Sequence, residues 1–201
     1  DRRRTRQWQQ QGPPISFPAR IQGQQEGPQG VGTEAFKGEF YQKVDSKARV
    51  SIPAVFRRAL EAEDPPSPEY PRPRIYMVYG GKNRLFAECY SKQGMDHVTT
   101  QILSMDMDSK DRIRAERDMI QRSVVVEVEP DGRVVLPPKV REKMGLSADD
   151  IAKGAEAAFA GQGDRFEMYL RETFDALAAA EDDDDDDIDP RARIGRHLKG
   201  R

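Results

Sequence analysis

Cysteine is almost absent from this chain: Cys89 stands alone in 201 residues. A single thiol excludes an intramolecular disulfide framework and any zinc knuckle built from several cysteines. It fits a reducing, cytosolic setting. Histidine is nearly as scarce. Neither His97 nor His197 has a cysteine or a pair of carboxylates at metal-ligand spacing. No apolar run approaches the roughly 20 residues that a membrane helix requires, and the N-terminus lacks the basic-then-apolar pattern of a secretory signal. No Gly-x-Ser-x-Gly elbow occurs. Gly80-Gly81-Lys82 continues into Asn83 and Arg84 rather than Ser or Thr, so it reads as a turn and not as a phosphate loop. No catalytic constellation, cofactor, metal or membrane partner is expected.

An excess of one charge is also lacking. Thirty-three Lys and Arg face 35 Asp and Glu, for a formal net charge of −2. A surface coated in basic charge is thereby excluded, but a local basic face is not, because phosphate contact depends on the field of one surface.

The two ends differ from the middle. Residues 1–35 are rich in Gln, Gly and Pro, with Trp8, Ile15, Phe17 and Ile21 at no useful period. Such a stretch buries too little surface to offset its ordering entropy, so a disordered N-terminal extension is expected. The chain begins without Met, and Val31 is read as a candidate non-standard start. Residues 181–201 form an acidic and then basic tail, with Asp182 to Asp187 in one run, and are expected to be disordered and extended by self-repulsion.

What the middle contains is an internal repeat. From Val44 the chain reads VDSKARVSIPAVFRRAL and from Val128 VEPDGRVVLPPKVREKM, aligned without gaps at an offset of 84 residues. Val44 matches Val128, Arg49 matches Arg133, Pro53 matches Pro137 and Arg57 matches Arg141. A weaker echo relates Gly81–Phe86 to Gly161–Phe166. One repeat at this distance indicates a duplicated half-domain with a pseudo-two-fold axis. The first copy, with a helical insert, is placed at 36–121 and the second at 122–180.

Each copy reads as strand, turn, strand and short helix. Asp45-Ser-Lys-Ala and Glu129-Pro-Asp-Gly are turn chemistry. Pro53 and Pro137 suit the first turn of a helix. Lys92–Met105 has helical spacing, Ser109 is a candidate N-cap for a charged helix reaching about Arg122, and Arg171–Ala180 is the last helix.

The candidate site lies around the turns. Lys37, Lys43, Lys47 and Arg49 cluster in the first copy, and Arg49 recurs as Arg133 after the same turn. A two-stranded ribbon can enter the major groove of DNA and bring such residues to phosphates or guanine edges. Lys37 and Lys43 are not expected to form one continuous stripe. Asp45 and Glu129 each stand four residues before an arginine, so both pairs are candidates to brace their hairpins. Bracing and DNA contact are both open for the arginines, and a merely solvated face is open for the lysines.

These residues resemble the MraZ family of bacterial transcriptional regulators. FKGEFYQKVDSKARVSIPAVFRR and VEPDGRVVLPPKVREKMGL carry the likeness, which covers about residues 36–175. It implies an α+β, β-rich fold in which two AbrB-like half-domains form a pseudo-two-fold swapped-hairpin barrel with peripheral helices. It also implies a homo-oligomeric ring in the cytoplasm, associated with the nucleoid. The expected partner is double-stranded DNA at promoter direct repeats, and the expected role is a sequence-specific repressor of the division and cell-wall gene cluster that includes its own gene. By position the DNA-contacting motif falls on Lys47 and Arg49, with Arg133 as the second-copy equivalent and Lys37 as a weaker candidate. Where the family has Gly, this chain has Ala48, which is strained if the turn needs a positive φ. The rival expectations are a ring-forming scaffold and an AbrB-type antitoxin, each acting through protein partners.

Overall fold

A computed structural model of the chain describes residues 36–184 together with Arg191 and Ile194. The expectations for residues 1–35, and for the tail beyond Asp184, lie outside the described residues apart from those two.

The fold is α+β and strand-rich. The first copy supplies β1 (Glu39–Lys43), β2 (Arg49–Ser51), α1 (Ala54–Glu63), β3 (Arg74–Val78), β4 (Phe86–Tyr90) and α2 (Lys92–Leu103). A connecting helix, α3 (Lys110–Ala115), runs into a π-helical segment, Glu116–Gln121. The second copy supplies β5 (Ser123–Glu127), β6 (Arg133–Val135), α4 (Pro138–Met144), α5 (Ala148–Lys153), β7 (Glu156–Gly161), β8 (Phe166–Leu170) and α6 (Arg171–Asp184).

The duplication governs the topology. Six strands pair antiparallel in the order β1-β7-β8-β4-β3-β5, and β2 pairs separately with β6. Exchanging each strand for its counterpart in the other copy reverses the first order and leaves the second unchanged. Each copy's opening strand therefore pairs with the other copy's third strand, β1 with β7 and β5 with β3. The halves are interleaved rather than laid side by side.

Among the described residues the strands form these two sheets, with no pairing that closes them into a barrel. The reason lies in the short strands: β2 and β6 have three residues each, and between β1 and β2 pairing dwindles to the single bridge Val44↔Val50. The core fills the space between the large sheet and the small one. Val50, Phe56, Leu60, Val134, Val140 and Met144 from the two repeats are all buried there with Phe36, Phe159 and Phe166. Phe56 meets Phe36 edge-on at 5.5 Å and lies 5.0 Å from Phe166. Offset and edge-on contacts of this kind add to the burial of the rings themselves.

Local signals explain the helices. Ser91 and Ser109 accept backbone N–H bonds from Gly94 and Arg112 and cap α2 and α3. Pro53 and Pro137 sit at the N-caps of α1 and α4, and Gly145, at φ +71°, ends α4. The last helix runs four residues past the expected Ala180, so Glu181–Asp184 continue it instead of beginning a disordered tail. The alanines at 176 and 178–180 favour that extension.

Candidate nucleic-acid interface

The site is built by two turns facing each other across the β2–β6 pair. Their backbone bonds repeat at the sequence offset. Asp45 N–H donates to the Arg49 carbonyl at 2.9 Å and Glu129 N–H to the Arg133 carbonyl at 2.8 Å. Ala48 N–H donates to the Asp45 carbonyl, as Gly132 N–H does to Glu129. The turns then cross over: Ile52 N–H reaches the Gly132 carbonyl and Leu136 N–H the Ala48 carbonyl. Each turn is thus held by the strand that follows the other.

Register decides which side chains face outward. Arg49 stands opposite Val135 and Ser51 opposite Arg133, with Val50 paired to Val134 between them. The two valines are fully buried. Alternation therefore places Arg49, Ser51, Arg133 and Val135 on the outer face. Lys47 is exposed in the first turn.

Electrostatics tie this face together. Arg49 Nε donates to Asp45 Oδ2 at 2.8 Å, while Asp45 Oδ1 accepts the backbone N–H groups of Lys47 and Arg49, each at 2.9 Å. The Arg49 backbone N–H chiefly, together with the Arg49 side chain, holds the Asp45 carboxyl below its ordinary range. The Asp45 carboxylate raises the Arg49 guanidinium in turn. Arg133 Nη1 comes within 3.9 Å of the same carboxylate. One aspartate therefore sits between the two arginines of the repeat.

The second turn differs from expectation. Arg133 pairs with Asp131 at 3.7 Å and with Asp45, and no ion pair to Glu129 is found among the described residues. Asp131 Oδ1 also accepts the Arg133 backbone N–H at 3.2 Å. The bracing carboxylate has moved from the first to the third turn position, where Asp131 accepts the Arg133 N–H as Asp45 accepts that of Arg49 in the first turn. Asp131 occupies the place of Lys47, so the tip of the first turn is cationic and that of the second acidic.

The lysines are not all gathered here. Lys43 ends β1 beside the first turn, whereas Lys37 lies before β1 begins at Glu39. Both are exposed. Between them Gly38, at φ +92°, interrupts the extended backbone, so they form no continuous stripe.

The family follows from comparison of the whole sequence. No protein-family model matches the chain. A "Transcriptional regulator MraZ" from Cereibacter sphaeroides is 47% identical over 148 residues, which is 74% of this chain and 87% of that protein. The chain belongs to the MraZ family. Namesakes in Ruegeria pomeroyi, at 41% over 73% of this chain and 84% of that protein, and Moorella thermoacetica, at 28% over 76% and 99%, are also similar to it.

Within this MraZ chain, Arg57 and Arg141 were visible as a repeated pair but carried no assigned role. Arg57 lies under the second turn, where a Cβ on Gly132 would stand 2.5 Å from its Nη1. Arg141 lines a cleft of about 490 Å³ beneath the first turn with Ser46, Lys47 and Ala48. The Nε of each is buried without a hydrogen-bond partner. They are a second pair of cations behind the outer arginines.

The departure at Ala48 has a measurable consequence. Its φ is +57°, and it is the one non-glycine residue with positive φ among the described residues. Left-handed backbone costs an L-residue roughly 1–2 kcal/mol, and glycine's extra unfolded-state freedom returns about 0.5–1 of that. Ala48→Gly is expected to raise the urea midpoint slightly, and Gly132→Ala to lower it by at least the same strain. Equal midpoints for both variants would remove the strain argument.

Proposed function

We propose that this chain is a sequence-specific DNA-binding transcriptional regulator that reads DNA with the outer face of the β2–β6 pair. The observation that carries the proposal is the convergence of Arg49 and Arg133 on Asp45, with Lys47 at the tip. The guanidiniums are oriented in advance by a carboxylate, so little side-chain freedom is lost when a base edge or phosphate arrives. Lys43 adds charge at the base of the ribbon, and Lys37 serves at most as a distant phosphate contact. The names borne by the relatives agree with this reading.

In finer detail, the protein acts as a cytoplasmic, nucleoid-associated repressor of the division and cell-wall gene cluster that contains its own gene. The interleaved pairing supports the swapped-hairpin, AbrB-like description of its halves. A ring of protomers engages direct repeats in the promoter, and repeats spaced near one helical turn, about 34 Å, present the same face to successive protomers. Avidity of about 100- to 10,000-fold then offsets the modest charge of each copy.

The deciding measurement is anisotropy binding to the gene's own upstream DNA and to a shuffled duplex across a salt series. The expected result is a preference for the native sequence and a logarithmic salt slope of several phosphate contacts. Equal, weak binding to both duplexes would instead favour a ring-forming scaffold or an AbrB-type antitoxin that works through protein partners.

A further inference from the structure

A second cationic site lies away from the turns. The loop between β3 and β4, the end of the π-helical segment and the exposed side of α4 line an open surface cleft of about 450 Å³. Lys82, Arg84, Arg122, Lys139 and Lys143 line it, and Glu142 is the one carboxylate among the lining residues. Three of the cations have a carboxylate of their own: Arg84 pairs with Glu88 at 2.6 Å, Arg122 with Asp118 at 3.2 Å and Lys139 with Glu142 at 3.1 Å. Lys82 and Lys143 have no ion pair among the described residues. The Lys143 ammonium donates to the Gly81 carbonyl, and burial, reinforced by Arg84 and Arg122, pushes its pKa down. A half-buried ammonium beside two guanidiniums is an arrangement that an anion relieves.

The wall of the cleft is fixed in place. A Cβ on Gly80 would stand 1.8 Å from the Asp118 carbonyl oxygen, so this position admits only glycine. Gly81 N–H donates to the Asp118 carboxylate, and its carbonyl accepts from Lys143. Asp118 itself belongs to the π-helical segment, and such insertions recur at functional sites. Gly80-Gly81-Lys82 is thus a turn, yet its backbone is locked against the cations.

The duplication supplies an internal control. At the offset of 84, Lys139 and Lys143 correspond to Val55 and Ala59; in the echo of the hairpin loop, Lys82 and Arg84 correspond to Gln162 and Asp164. The other half builds the same elements without these charges, so the fold does not require them.

We propose that this cleft binds a phosphorylated small molecule of the nucleoside diphosphate class. Its volume falls in the range of small-ligand sites, and its five cations against one carboxylate suit a compact polyanion. Lys82 and Lys143 take the phosphate oxygens with help from Arg84 and Arg122, and Tyr79 and Leu85 flank the remainder of the ligand. Leu136 and Pro137 alone separate α4 from β6, so an occupant rests one short connection from Arg133.

The ligand titration is made without DNA, so its failure and a failure of the preceding reading are distinguishable. The full chain is titrated with inorganic pyrophosphate and with ADP by calorimetry near physiological salt. Saturable binding of both is expected, with ADP tighter. Lys143→Met and the fully surface-borne Lys82→Gln should each weaken it about tenfold, the value of one charge-assisted contact, and Lys47→Gln should leave it unchanged. No saturable binding, or binding untouched by Lys82→Gln, overturns the proposal. So does the pairing of absent ligand binding with a loss of DNA affinity, or with a change of assembly mass, in Lys82→Gln. Those two results assign the cleft to duplex DNA or to a neighbouring protomer.

Discussion

Arg49→Ala is expected to lower affinity for the native upstream DNA by about 10- to 100-fold, the worth of one bidentate arginine contact. The loss multiplies where several protomers engage one promoter. The salt slope should fall as well, if one of the lost contacts is to phosphate. The variant should remain folded, since Val50 and Val134 carry the burial on the other side of the β2–β6 pair. Arg49 also holds Asp45, so alanine alone does not separate bracing from contact. Asp45→Asn does. It removes the charge of the brace but leaves both guanidiniums in place. If Arg49 reads DNA, Asp45→Asn preserves or raises affinity and relaxes selectivity, because two cations are freed from a carboxylate. If Arg49 only braces, Asp45→Asn reproduces Arg49→Ala in both respects, and the outer face loses its claim as the reading surface.

How far that surface could be foreseen depends on sequence distance. The repeat at an offset of 84 anticipated two matching turns, because turn chemistry is local to a few residues, while the family's glycine raised the question of a positive φ at Ala48. The shift of the brace from Glu129 to Asp131 was not legible. It depends on which of two carboxylates, two residues apart, meets its arginine in three dimensions. The π-helical stretch at Glu116–Gln121 was read as ordinary helix, since an extra residue per turn leaves the composition unchanged. Sheet order was out of reach for a different reason: β1 meets β7 more than a hundred residues later, and no local pattern encodes that pairing. The cationic cleft is similarly diffuse, since its charges come from positions 82–84, 122 and 139–143, and only folding makes them neighbours.

The largest stability effect lies in the first copy, at a pair that no spacing rule singled out. Asp64 ends α1 and Arg74 begins β3, and the proline-rich segment 65–73 is the loop they close. Three bonds join them: Arg74 N–H and Nε donate to Asp64 Oδ2 at 3.0 and 2.9 Å, and Nη2 donates to Oδ1 at 2.8 Å. Tyr70 covers the guanidinium, 3.8 Å from ring centre to Cζ. Both side chains are buried. Asp64→Ala strands the guanidinium and is expected to cost about 3–5 kcal/mol, enough to unfold a marginal domain. Asp64→Leu with Arg74→Met should cost far less than either change alone, because no uncompensated charge is left inside. The pH dependence gives an independent check. The Arg74 side chain holds the Asp64 carboxyl below its ordinary range. A carboxylate depressed in the folded state contributes stability above its unfolded pKa, near 3.9, and loses it as pH falls through the folded value. The parent chain should therefore lose stability steeply below about pH 4, and the double variant should do so less. Acid unfolding curves that superimpose would mean that other carboxylates govern that limb and that the Asp64–Arg74 pair contributes little to holding the loop.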